Sequence, residues 1–368
     1  MNSVVSRAEA LKALIASSVE YGPTHPLPEA VLSCATELIN AGEARMALSL
    51  AASAKARAES AGAEWEIRLD LVRARALRVA GEFDDSLAIC RDLLRDDHQI
   101  LRSLPGEAFE LRICEAASLT QLNRVDEAAA KLLAVRSELL ALPESTLLGM
   151  CAFHLSSAEM FRGEQRAARA FALEALVSAR RCRDTFLEAL ALDNLGRLER
   201  SLCRWAVAEE ASSDALAIFE AAGNRIYANI SNRCLAIVAW KRGRLDRALE
   251  LAQRCRIEAI GLGNGVTAWF ARLLEAVVQM HAGEFRAASE SCTLDSLFGV
   301  YQAQSRASLL TIEYLGDICL EQGQAESALK HYDDVWPKAL ALVPKGDIVA
   351  ELRRRRAECY YLLGRYDE

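Results

Sequence analysis

Apolar residues recur along this chain with the 3.6-residue period of an amphipathic helix, as in ALALDNLGRLERSL (189–202) and LDRALELAQRCRIEAI (245–260). That short period is nested in a longer one. Gly42, Gly81, Asn123, Gly163, Cys203, Gly243, Gly283, Gly323 and Gly364 stand about 40 residues apart, the steps running 39, 42, 40, 40, 40, 40, 40 and 41. Five residues after each turn position stands a small residue: Ala47, Ser86, Ala128, Ala168, Ala208, Ala248, Ala288, Ala328. Seven before it stands another: Ala35, Ala74, Ala116, Ser156, Gly196, Ala236, Ala276, Gly316, Ala357. Bulkier wedges such as Phe83, Trp205, Leu245 and Phe285 follow the turn by two.

Small residues in register let two helix backbones approach closely, so each period predicts one antiparallel helical hairpin of two helices of about sixteen residues. Gly62, Gly223 and Gly263, twenty residues past a turn, are placed to end the second helix in the left-handed conformation. A period of this length signals a stacked array and overrides domain counting from length. The expected fold is all-α, a right-handed superhelical solenoid of eight to nine hairpins over 24–368. Residues 1–23 form an N-terminal capping helix, with Gly22 twenty residues before Gly42. The ninth hairpin is truncated after its first helix and turn. That leaves Tyr360, Tyr361, Leu362 and Leu363 uncovered and suggests further repeats and an output domain beyond 368, or homodimer pairing through that last helix.

The small, glycine and small columns in NLGRLERSLCRWAVAEEA (194–211) and DICLEQGQAESALKHY (317–332) resemble the tetratricopeptide repeat over nearly the whole chain. Gly196 and Gly316 fall at its first small position, and Ala208 and Ala328 at its second. The units exceed the family's usual 34 residues and lack its closing proline. Long units separated by AAGN and GLGN look like the sensor regions of bacterial signalling proteins, among them the maltose-regulon activator and the activators that carry an AAA+ domain.

Composition adds exclusions. The chain is 52% hydrophobic and 6% aromatic with a formal charge of −7, a field that opposes direct nucleic-acid binding. No stretch is apolar for the roughly 18 residues a membrane helix needs, and the N-terminus, with Arg7, Glu9, Lys12 and Glu20, does not read as a secretory signal. The eleven cysteines are odd in number and lack a CxxC pair, so they read as core residues of a cytoplasmic protein. No GxxxxGK[ST], HExxH or GxSxG occurs, and GLGNG (261–265) lies between helices instead of after a strand. His25, His98, His154, His281 and His331 lack partners at ligand spacing, and Arg353–Arg356 reads as a solvated face beside Glu351 and Glu358. These absences predict no enzyme activity, no cofactor and no metal.

In a stacked array of this kind the first helices line the concave surface. If the resemblance holds, its groove positions are Met150, Phe153, Met160 and Phe161; Asp193, Arg197 and Arg200; Ile230, Arg233, Ile237 and Trp240; and Phe270 and Met280. Such a wall suits a protein or peptide, or a small effector, and the alternative is that neighbouring helices pack these side chains against one another. Asn194 is similar to an asparagine of peptide-clamping relatives, but Asp193 and Arg197 occupy the accompanying lysine and asparagine positions. The expected function is a non-enzymatic regulatory module of a bacterial signalling or transcription-regulatory protein, the alternative a static scaffold.

Overall fold

The computed structural model describes residues 2–17, 27–55, 62–95, 99–143, 145–262, 264–292, 306–342 and 347–367. Among them every regular element is helical, and no strand occurs. The α-helices are α1 (Asn2–Ser17), α2 (Leu27–Asn40), α3 (Ala44–Lys55), α4 (Ala63–Ala80), α5 (Phe83–Leu93), α6 (Pro105–Gln121), α7 (Val125–Leu139), α8 (Thr146–Arg162) and α9 (Gln165–Cys182). They continue with α10 (Thr185–Ser201), α11 (Trp205–Ala221), α12 (Arg225–Lys241), α13 (Leu245–Gly261), α14 (Gly265–His281), α15 (Phe285–Ser291), α16 (Arg306–Glu321), α17 (Ala325–Leu342) and α18 (Asp347–Leu362). A short 3-10 helix, Gln99–Ser103, precedes α6 inside the one step of 42 residues.

The turn column is a column of left-handed backbone. All nine positions have φ between 57° and 86°, including Asn123 (61°) and Cys203 (57°). In each turn the next residue's N–H returns to the carbonyl five before the turn residue's successor, as in Glu82 to Leu77 (2.9 Å), Arg204 to Glu199 (2.8 Å) and Gln324 to Cys319 (2.9 Å). This Schellman closure satisfies carbonyls that the end of a helix leaves open, and it requires the positive φ that glycine adopts most freely. The far ends of three central hairpins repeat the device. After Arg183 (φ 56°) and Gly223 (φ 70°) come Asp184 and Asn224, whose side chains accept from Leu187 N (2.9 Å) and Tyr227 N (3.0 Å) to cap the next helix. Asn264 does the same for Thr267 (3.0 Å), which assigns GLGNG to helix capping, while Gly263 and Gly22 lie outside the described residues.

The two small columns face each other. Ser86 Oγ donates to the carbonyl of Ala74 at 2.8 Å, and a Cβ on Gly196 would come within 3.3 Å of the Ala208 carbonyl. Ala35, Ala47, Ala74, Ala116, Ala128, Ala168, Ala208, Ala236, Ala248, Ala276, Ala288 and Ala328 have no solvent exposure at all. Ala357 is the exception and is exposed, because among the described residues no helix follows α18 to cover it.

The chain divides into two compact units, Met1–Ala228 and Asn229–Glu368. In the first, each helix packs on its successor and each hairpin's first helix also packs on the next first helix: α2 on α4, α4 on α6, α6 on α8 and α8 on α10. α1 lays Ala8, Leu11 and Ile15 against α2 and α3. The second unit repeats the pattern with α14 on α16 and α16 on α18. Pairs such as Arg68–Glu107 (2.8 Å) and Arg136–Glu174 (2.8 Å) tie adjacent hairpins at the surface, each worth a few tenths of a kcal/mol to about 1 kcal/mol.

The arginine run differs in part from the solvated face expected of it. Arg354 pairs with Glu351 and Glu358 as read, but Arg355 turns inward to within 3.1 Å of Asp317, and Arg356 stacks over Trp336 at 5.0 Å. Four consecutive helical positions point all round the axis, so one of them has to face the neighbouring helix. Of the cysteines, Cys34, Cys90, Cys114, Cys151, Cys234, Cys255, Cys292 and Cys359 are buried thiols, and only Cys203, at a turn, is exposed.

Candidate functional site

The first unit closes on itself. Asn224 sits where Asp184 and Asn264 sit in neighbouring hairpins, yet it is wholly buried, because the turn after α2 covers it. While its Oδ1 caps α12, its Nδ2 donates to the carbonyl of Asn40, 184 residues away in sequence. Beside this bond Ile226 lies against Gly42 so closely that a Cβ there would meet Ile226 at 3.2 Å. The start of α12 therefore touches the turn after α2, so the last hairpin of this unit meets the first.

Several of the sequence-predicted wall residues line up along α8 and α10. Met150, Phe153 and Met160 are half-buried, Phe161 is 52% exposed, and Asp193 is buried. Asn194 Nδ2 donates to Ser157 Oγ (2.9 Å) and the Phe153 carbonyl (3.3 Å), so this amide joins two helices of the wall. Arg197 donates to Asn194 Oδ1 (3.4 Å). Arg200 Nε is shut off from solvent without a hydrogen-bond partner.

Three groups of this unit were not singled out from the sequence. Arg78, on α4, occupies the place three residues before its turn where Met160, Arg200 and Trp240 stand in other hairpins, and its Nε is likewise enclosed and unpartnered. Its charge acts on His154 and on Tyr227, the latter also feeling the Asp193 carboxylate. Burial, and secondarily the Arg78 cation, hold the His154 imidazole neutral, with its pKa well below the ordinary value. Burial pushes the Tyr227 phenol up, and its ring stacks on Phe219 at 5.2 Å. A cation, shared only with Arg200 in a column that otherwise carries Ile39, Thr120, Met160, Trp240, Met280, Leu320 and Tyr361, was the available signal for Arg78.

In the second unit the predicted positions engage one another more fully. Arg233 stacks on Phe270 (5.6 Å to the ring centre), and Trp240 meets His281 edge-on (5.4 Å) under Lys241 (3.7 Å). Ile230 and Ile237 are half-buried, and Met280 is 4% exposed in a cluster with Trp269, Leu273 and Ala288. The Met280 side chain thus packs against its neighbours.

No family model matches the chain, and no curated protein matches it. Solved structures do. A signal transduction ATPase with numerous domains that carries a tetratricopeptide repeat sensor, from Pyrococcus horikoshii, superposes with a TM-score of 0.55 at 14% identity over 96% of this chain and 52% of its own, so this chain spans about half its length. NprR in complex with its cognate peptide NprX gives 0.62 at 13% identity over 83% and 88% of the two chains. Cut9, in the APC/C hetero-tetramer Cut9–Hcn1, gives 0.63 at 15% identity over 94% and 58%. The fold is that of tetratricopeptide-repeat proteins, an all-α array of paired helices. Among the described residues no cluster of His, Cys, Asp and Glu could hold a metal ion, and no helix is long and apolar enough to cross a membrane.

Proposed function

We propose that the chain is a non-enzymatic regulatory module that binds a peptide along the inner wall formed by its first helices and passes the change to an output domain in a larger signalling protein. The observation that supports this is the strip on α8 of half-buried Phe153 and Met160 and exposed Phe161, joined to α10 through Asn194, to which Arg197 donates. An apolar strip with a few convergent polar groups suits a short extended peptide, because side chains fill the strip while the polar groups fix its register. Solved proteins of this fold lend support: NprR is seen with its cognate peptide, and a Rap protein with competence and sporulation factor. Stacked repeats touch mainly their neighbours, so small shifts at successive interfaces accumulate along the array.

The test is selection of short peptides from a random display library on the purified chain, followed by affinity measurement on Arg197→Ala and Phe153→Ala, with helicity checked by circular dichroism. A selected peptide should bind at least about tenfold more weakly to each folded variant. Selection of nothing, or of peptides indifferent to both changes, would overturn the proposal.

A further inference from the structure

Two thiols meet where the second hairpin packs on the third. Three contacts fix the register of α5 on α6: Ser118 Oγ donates to Ser86 Oγ (3.1 Å), Ser86 Oγ lies 3.7 Å from Cys114 Sγ, and Arg91 Nε reaches Glu115 at 3.4 Å. As the numbers rise along α5 they fall along α6, so the two helices run antiparallel. One turn on from Ser86 is Cys90, and one turn back from Ser118 is Cys114, which brings the two cysteines opposite each other. Both belong to one buried cluster with Ala74, Leu93 and Leu111, and both are free thiols. At the seven other junctions the same positions, nine after one turn and nine before the next, hold at most one cysteine, as in Ser212 with Cys234 and Cys292 with Tyr314.

The surroundings divide the labour between the two. Their mutual hydrogen bond favours a thiolate on Cys114, helped by the Arg78 cation and Ser86 and opposed by burial, while the same bond and burial keep Cys90 protonated. Leu87 and Arg91, the chain neighbours of Ser86 and Cys90, line a cavity of about 440 Å³ with Asp84, Ala88, Leu122 and Arg124. That is room for a small oxidant beside the junction. We propose that Cys90 and Cys114 form an oxidative modification site, at which a hydroperoxide converts the pair to a disulfide that pins the second hairpin to the third. With hydrogen peroxide, the Cys114 thiolate attacks one oxygen, the O–O bond breaks, and hydroxide leaves to recover as water the proton that Cys114 had released. The Cys90 sulfur then attacks the sulfenic sulfur, and its proton departs with the hydroxyl as a second water. Two electrons pass from the pair of thiols to the peroxide.

The test is peptide mapping of the full chain, without reductant, after treatment with hydrogen peroxide under native conditions. The main disulfide should join the peptides that carry Cys90 and Cys114, with both thiols lost together and both restored by dithiothreitol. In Cys90→Ser the oxidation should stop at a sulfenic acid on Cys114, trapped by dimedone, whereas in Cys114→Ser the cross-link should be absent and Cys90 unmodified. The oxidised parent should unfold at a higher urea midpoint than the reduced one, because the bond closes a loop in the unfolded chain. Peroxide should raise the midpoint of neither variant. A pair still reduced when the exposed Cys203 is fully oxidised would overturn the proposal, as would cross-links scattered over other cysteines. An oxidised parent with a midpoint at or below that of the reduced protein would overturn it too, since the native junction would then not hold the bond.

Discussion

At the scale of single residues, Gly316 and His154 show how little room the packing leaves. A Cβ on Gly316 would come within 2.5 Å of the Tyr332 ring. That ring cannot swing away, being fully buried with its hydroxyl donating to Asp317 at 2.6 Å. Gly316→Ala should therefore lower stability by about 1–3 kcal/mol despite alanine's better helix propensity, as read from the denaturation midpoint. Ala248→Leu, at a wholly buried crossing of α12 and α13, should cost a similar amount. The small columns that set these sites were legible in sequence because sterics at a repeated crossing select the same residue size each time. Arg78 was not singled out, because two arginines, Arg78 and Arg200, in a column of mixed residues break no period, although the change of charge there was open to be read.

At the scale of elements, the hairpin and its turns could be read from spacing alone, since the Schellman closure is local and its positive φ falls on glycine in seven of nine copies. The contact of the turn after α2 with the start of α12 could not, for a repeat period specifies how neighbours meet but not the small rotation per repeat that brings distant hairpins round. Asn224 carries that contact in addition to its capping bond, whereas Asp184 carries a capping bond alone. Asp184→Ala should cost about 1 kcal/mol, the usual loss of a cap. Asn224→Ala should cost about 1–3 kcal/mol more, because it also leaves the part-buried Asn40 carbonyl without this partner. Equal losses in urea titrations would mean that the ring contact contributes nothing.

At the scale of the whole molecule, buried titratable groups in the two units answer acid in opposite directions. His154 in the first has a folded pKa below its unfolded value, so the unfolded chain binds the extra proton, and this unit loses stability as pH falls through the ordinary histidine range near 6.5. In the second unit burial raises the carboxyls of Glu275 and Asp317 above their ordinary values, against the pull of Arg256 and Arg355. At those two groups the folded chain binds the extra proton, so their contribution rises as pH falls toward the carboxyl range, whereas Glu351, held below its ordinary value chiefly by its hydrogen bond with Arg354, contributes in the opposite sense. Segment-resolved hydrogen exchange between about pH 7 and about pH 5 should show the first unit opening more readily, and His154→Phe should abolish that response. The same method tests the recognition surface most directly. Peptide selected on the chain should slow exchange in α8 and α10, the helices of the inner wall, and leave α9 and α11 unchanged. Protection confined to α9 and α11 would contradict the assignment of the binding face.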